Sequence, residues 1–290
     1  MKAALIKLHL AVFLWGFTGV LGKAIQLNEG LLVWYRLLIT VITLFFLMIW
    51  KKELKKITLK TAWKLAAIGC IVALHWVCFY GSIKYANVSI ALICLSAAGV
   101  LTALIEPIFT SKKIVVVEVL LGFIAIIGIY LIFHFDTKYR IGILIGFLST
   151  ILSVLFSVLN KKMVDQVPPK TMILFELSGG LLFLSLLMPL YLKHFPVTSL
   201  LPRFQDWMWL IILSWICTIW AFDLSLQALK KISAFTQNLT LNLEPVYGIV
   251  LAFFVYQENK YLNFSFYIGF ILILLAVVLQ MLRIVLQKKV

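Results

Sequence analysis

Ten apolar runs of about twenty residues follow one another with only short polar joints between them. They fall at roughly 8–26, 31–50, 62–83, 87–110, 114–134, 141–160, 170–191, 207–228, 232–256 and 263–286. Each can carry a helix across the ~30 Å hydrocarbon core of a bilayer. In lipid the backbone must satisfy its own amides within the segment, so such runs form helices. The side chains close the aqueous alternative: 63% of residues are hydrophobic and 13% charged, well away from the composition of soluble domains. The expected fold class is therefore an all-α membrane protein with ten transmembrane helices. No joint can hold a soluble domain. The longest, 194–206, contains Pro196 and Pro202 and reads as an ordered loop. The first run is too long for a signal peptide and lacks a small-residue cleavage site, so it is expected to remain as the first span.

The net charge of +15 does not point to nucleic acid, because the basic residues cluster at the joints, as juxtamembrane charges do. Alternate joints hold 18 and 8 of the Lys and Arg residues. The richer set includes the cluster KKELKK at 51–56. It should face the cytoplasm, placing both termini inside a cell membrane. The four cysteines (Cys70, Cys78, Cys94, Cys217) lie inside apolar runs without metal-ligand spacing and read as packing residues. There is no nucleotide-binding loop, no His-Glu-x-x-His motif and no Ser/His/Asp set. The expectation is no enzyme, no cofactor and no metal, with any transport driven by gradients or merely facilitated.

Five runs take the chain to about residue 134 and five more follow, so the units expected are 1–136 and 137–290. An odd number of spans per unit makes them two inverted five-helix repeats. Weak internal similarity between SIALICLSAAGVLTALIEP and SAFTQNLTLNLEP supports a duplication, in either of two registers. Ser89 matches Ser233 at an offset of 144, whereas Glu106 and Pro107 match Glu244 and Pro245 at 138. Inverted repeats place a solute site at their interface near the bilayer midplane.

Ionisable groups within spans are costly and face cavities or one another. Glu244 falls midway along the ninth run, beside Pro245, which should kink the helix and free carbonyls one turn back. Asn238, Asn242 and Glu244 share a broad face and are candidates for solute or cation binding; a structural acid is the alternative. Asp223 and Gln227 share a face with Trp220 on the eighth run, where Asp223 either pairs with Lys161, Lys230 or Lys231 as a gate or snorkels. Glu106 and Glu176 are read as ion-paired with nearby lysines. Arg36 falls near the outer end of the second run, from which it could snorkel outward. His75, Trp76 and Tyr80 are close on the third run, with His75 either a packing residue or a proton carrier. Trp15 precedes Gly16, Thr18 and Gly19, and Trp15, Trp76 and Trp220 fall deep enough to line a cavity. On the sixth run Gly142, Gly146, Ser149, Ser153 and Ser157 form a small-residue stripe, fit for close packing or for a cavity. Glu258 reads as a solvated helix end.

WGFTGVLGK at 15–23, WYRLLIT at 34–40 and LEPVYGIVLAFFVYQE at 243–258 together resemble the EamA family of the drug/metabolite transporter superfamily. The first half departs from that pattern: Ser111, Lys112 and Lys113 stand where the second half has Tyr256, Gln257 and Glu258. The resemblance implies a ten-span secondary transporter of small metabolites, often an exporter of amino acids or related compounds. It also raises the alternative that Arg36 holds a carboxylate, either a solute's or that of Glu244. The partners expected are a small solute, the bilayer and a coupling proton or cation, in a monomer or homodimer. An uncoupled facilitator of the same fold and a lipid-handling membrane protein are the competing readings.

Overall fold

The computed structural model describes residues 2–110, 115–135, 137–197, 199–241 and 243–287. The described residues are helical, with no strand among them. The helices are α1 (Lys2–Ala24), α2 (Glu29–Trp50), α3 (Leu59–Tyr85), α4 (Val88–Leu95), α5 (Ala98–Phe109), α6 (Val116–Phe135), α7 (Arg140–Met163) and α8 (Pro169–His194). There follow α9 (Phe204–Ser214), a π-helical turn (Trp215–Trp220), α10 (Ala221–Leu229), α11 (Ala234–Leu241), α12 (Leu243–Tyr256) and α13 (Phe264–Gln287). Among the described residues, seven helical segments are long and apolar enough to cross a membrane, counting α4 with α5 and α9 with α10 as single spans. Shorter apolar helices, Val119–His134, Leu243–Tyr256 and Phe264–Ala276, occupy the other runs.

Side-chain caps fix several starts. The Asn28, Thr58 and Asn87 side chains accept from the amides of Leu31 (2.8 Å), Thr61 (3.2 Å) and Ile90 (2.8 Å), supplying acceptors for first-turn donors that no helix can satisfy itself. The fourth run is broken where α4 and α5 meet at Ser96 and Ala97. α4 and α11 start 146 positions apart, closer to the serine register of 144 than to the Glu-Pro register of 138, and in that register Glu106 is not the counterpart of Glu244. The expected kink at Pro245 falls beside position 242, which lies outside the described residues.

Glycine sets the closest approaches. α3 crosses α8 where Gly69 meets the Glu176 carbonyl and Gly180 meets the Gly69 carbonyl, so a Cβ at either position would strike backbone. Between α1 and α12, a Cβ at Gly16 would strike the Tyr247 Cβ, and one at Gly248 the Leu92 side chain and the Gly16 carbonyl. Where lipid tails remove the hydrophobic drive between helices, such contacts carry much of the association. Gly69→Ala is expected to cost about 3 kcal/mol by overpacking, read as a lower melting temperature of the purified protein. An unchanged melt would mean that the two helices can part without penalty. The stripe on α7 divides between its two readings: Gly142 and Gly146 abut Ala86, Ser82 and Cys94, whereas Ser153 and Ser157 face a cavity.

The two ends of the bundle differ. At the basic end Lys7, Lys52, Lys55, Lys170, Lys230 and Lys231 rim a hollow of ≈ 810 Å³. There Lys170 pairs with Glu53 at 2.7 Å, and its hydrogen bond holds the exposed Glu53 carboxyl below the usual carboxylate range. The far end holds a smaller hollow of ≈ 410 Å³ beside Glu29 and Tyr191, and a buried acid ties its helices together. Glu258 is 2% exposed, so the expectation of a solvated helix end is wrong. Its carboxylate accepts from Lys23 Nζ (2.7 Å), the Val88 amide (3.1 Å), the Ser89 amide (2.9 Å) and Ser89 Oγ (2.7 Å). The physical reason is the start of α4, whose free amides and positive dipole end attract an acid. Lys23 also lies 4.4 Å from the Tyr256 ring centroid, and Tyr256 Oη donates to the Val20 carbonyl at 2.8 Å.

Candidate functional site

A narrow cavity of ≈ 70 Å³ lies inside the bundle among α1, α2, α3, α7, α11, α12 and the π turn. Its one cation is built with care. Arg36 of α2 is 1% exposed; Nε donates to Thr218 Oγ1 (2.8 Å), Nη1 donates to Tyr80 Oη (2.9 Å), and the guanidinium lies 3.7 Å from the Trp76 ring centroid. Its carbonyl accepts from Thr40 (2.7 Å) and Ser214 (3.2 Å). This overturns the outward snorkel. A guanidinium stacked on indole and held by two hydroxyls is pre-oriented, and Nη2 makes no bond among the described residues.

The π turn makes that arrangement possible. Five-residue bonding leaves carbonyls offset from their usual partners, and side chains take them up. Thr218 Oγ1 donates to the Leu213 carbonyl (2.8 Å), and Trp15 Nε1 donates to the Cys217 carbonyl (2.9 Å). Trp15 and Thr218 are thereby fixed in the cavity wall. Across the space stands Glu244, partly exposed to the cavity, with no hydrogen bond from a described residue and no ion pair to Arg36. Gln237 lines the same wall with its Oε1 buried and unpartnered. Phe79, Phe156 and Phe222 complete an aromatic lining. His75 is packed between Phe79 and Phe156, and its Nδ1 meets the Ser149 carbonyl and hydroxyl, each at 2.9 Å.

Of the residues singled out from the sequence, Trp15, Thr18, Arg36, His75, Trp76 and Glu244 face this cavity, and Tyr80 stands behind Arg36. Asn242 and the side chain of Asn238 lie outside the described residues. Trp220 does not line the cavity. It is 50% exposed, like Trp215, whose Nε1 donates to Thr43, because the π turn rotates both outward. Asp223 lies in the wall of the basic-end hollow and accepts from Gln227 (2.7 Å), which in turn accepts from Lys7 (2.5 Å). Lys161, one of the lysines expected to pair with it, donates instead to the Leu229 carbonyl, and Lys230 and Lys231 rim the same hollow without an ion pair to it among the described residues. Glu176 is fully buried without a lysine partner; the tight α3–α8 crossing leaves no room for one. Glu106 is buried on α5, away from the cavity, and Lys112 and Lys113, the nearest lysines in sequence, lie outside the described residues. Phe79, Phe156, Phe222 and Thr218 were not singled out. Helical spacing could have found two of them, since Phe79 is four residues past His75 and Phe156 three past Ser153.

The arrangement opposes a cation and an acid across an aromatic space and contains no nucleophile–base pair among its lining residues. Pockets that hold metabolites run to about 300–1,000 Å³, so the cavity of ≈ 70 Å³ is smaller than a metabolite pocket.

The sequence profile of the EamA-like transporter family matches residues 2–134 and again 140–282. No individually curated protein matches the chain. A solved structure described only as "Crystal structure of protein" superposes with a TM-score of 0.68 over 97% of this chain and 97% of its own, at 15% identity. At that identity the likeness concerns the fold alone.

Proposed function

The chain belongs to the EamA-like transporter family, and on that premise we propose that this multi-pass membrane protein is a gradient-driven exporter of small amphipathic metabolites. The solute class is an amino acid or a similar compound bearing a carboxylate and an apolar or aromatic body. One observation carries the reading: Arg36 and Glu244 face one aromatic-lined cavity without pairing with each other. The free Nη2 edge of Arg36 suits a carboxylate, Glu244 suits an ammonium group, and Trp15, Trp76 and Phe222 suit the body. In this reading ten spans form two inverted repeats, 1–136 and 137–290, both termini are cytoplasmic, and the repeats rock about the cavity. Charge asymmetry between the joints supports the orientation. The hollow of ≈ 810 Å³ at the basic end, against ≈ 410 Å³ at the far end, fits a cavity that fills from inside.

The test is an efflux screen. Cells with and without the gene are challenged with amino acids and aromatic amines, and protein in vesicles is assayed with the solute so found. Glu244→Gln removes the acid while keeping its shape. It is expected to reduce transport of an ammonium-bearing solute about tenfold, the equivalent of ~1.4 kcal/mol. Equal transport by the Gln protein would remove Glu244 from the site.

A further inference from the structure

Glu176 lies seven residues into α8, about 10 Å from its start, and is 0% exposed. Asn160 Nδ2 donates to its Oε2 at 3.4 Å, while its Oε1 has no hydrogen-bond partner among the described residues. No described cation is within ion-pair distance of it. The charged groups of its neighbourhood are committed elsewhere. Lys161 donates to the Leu229 carbonyl (2.7 Å), Lys162 lies 5.7 Å from the Phe109 ring centroid, and Lys170 pairs with Glu53 (2.7 Å). On the helices packed against α8, Arg36 of α2 is held by Thr218 and Tyr80, and Asp223 of α10 by Gln227. On α3, Lys64 is exposed, Cys70 meets the Gly179 carbonyl and His75 meets Ser149.

Other polar atoms on the same helices share this state. Asn160 Oδ1, Ser157 Oγ, Thr171 Oγ1 and Ser225 Oγ are also buried without partners. Ser157, one turn before Asn160, faces the central cavity, and Thr171 lines the hollow at the basic end. Unpartnered oxygens on α7, α8 and α10 thus lie between the two spaces. A bare carboxylate buried beside Asn160 would cost several kcal/mol, and no described cation lies within ion-pair distance of it.

We propose that Glu176 and Asn160 form a binding site for a small monovalent cation, a proton or an alkali-metal ion, that is taken from the basic end and is separate from the solute cavity. A proton converts the carboxylate to a neutral acid. An alkali ion is held instead by the carboxylate and the Asn160 amide oxygen, the hard donors such ions take. Either leaves the site neutral and allows α7, α8 and α10 to close. Loss of the ion leaves a buried charge that favours opening to water. In the gradient-driven carrier inferred above, this is where the driving ion binds.

The test needs no solute, so its outcome is independent of whether the transport reading holds. Purified protein is melted in NaCl against choline chloride at fixed pH, and across pH in choline chloride, for the parent and for Glu176→Gln. Gln is isosteric and still accepts from Asn160. If the ion is Na⁺, NaCl raises the parent melting temperature by about 4 °C or more and leaves E176Q unmoved. If it is a proton, the parent melt falls by a similar amount as pH rises, regardless of Na⁺, and E176Q does not follow. Parent and E176Q with the same Na⁺ and pH dependences overturn the proposal. Should E176Q not fold, Asn160→Ala is melted in the same series. It is expected to shift the midpoint of the ion dependence, and an unmoved midpoint is likewise fatal.

Discussion

Arg36→Ala is expected to lower solute flux about 100-fold in vesicles carrying equal amounts of protein. The variant loses the charge that would face a solute carboxylate, the stack on Trp76 and the bonds to Thr218 and Tyr80. Hydrogen bonds to a charged group are worth about 1.5–3 kcal/mol each, and ~2.8 kcal/mol is a hundredfold. Arg36→Lys separates charge from shape. It keeps the cation but loses the planar fork, and is expected to retain about a tenth of the flux, between the parent and the Ala protein. Parent-like flux in the Ala protein would dismiss Arg36 as the solute's anchor. Parent-like flux in the Lys protein would leave charge alone as its role.

The second large effect falls far from the cavity. Glu258→Ala strips the partner from Lys23 and from three donors at the start of α4. Breaking a buried pair costs about 3–5 kcal/mol; Lys23 is 35% exposed, so solvent screening brings the expectation to about 3 kcal/mol. The melting temperature of the purified protein should fall accordingly. Glu258→Gln still accepts hydrogen bonds and should lose less. A melt unchanged by the Ala substitution would show that water replaces the acid without loss, and that the far end is not held by this contact. Lower stability should come with easier opening: a cysteine placed at Val20 should react faster with a water-borne thiol reagent in the Ala protein than with Glu258 present.

The fold was legible because span length and polarity are local. Apolar runs and caps such as Asn28 and Asn87 leave marks within a dozen residues. Half of the cavity was legible for the same reason, since Trp15, His75 and Trp76 fall deep in their spans whatever surrounds them. The misreadings share one physical origin. Arg36, Glu176 and Glu258 were assigned by depth alone, and depth does not say which helix faces a residue. The Glu258 partners are 169 to 235 positions away in sequence. Glu176 sits beside lysines in sequence, but the glycine crossing with α3 turns it away from them. Trp220 failed differently. Its period was counted at 3.6 residues through a stretch that winds more slowly, so its face came out wrong.

That slow stretch, Trp215–Trp220, has a consequence for comparing this chain with its relatives. A π turn holds about one residue more than the α-helical turn it replaces. Deleting one residue there would let α9 run into α10 as a regular helix and swing everything beyond it by about 100°. Phe222 would leave the wall and a neighbour would enter it. A relative without the turn would therefore align with a one-residue gap at 215–220, and residues matched on either side of that gap would present different chemistry to the solute. Specificity among such relatives can change by a single insertion, with no other residue substituted.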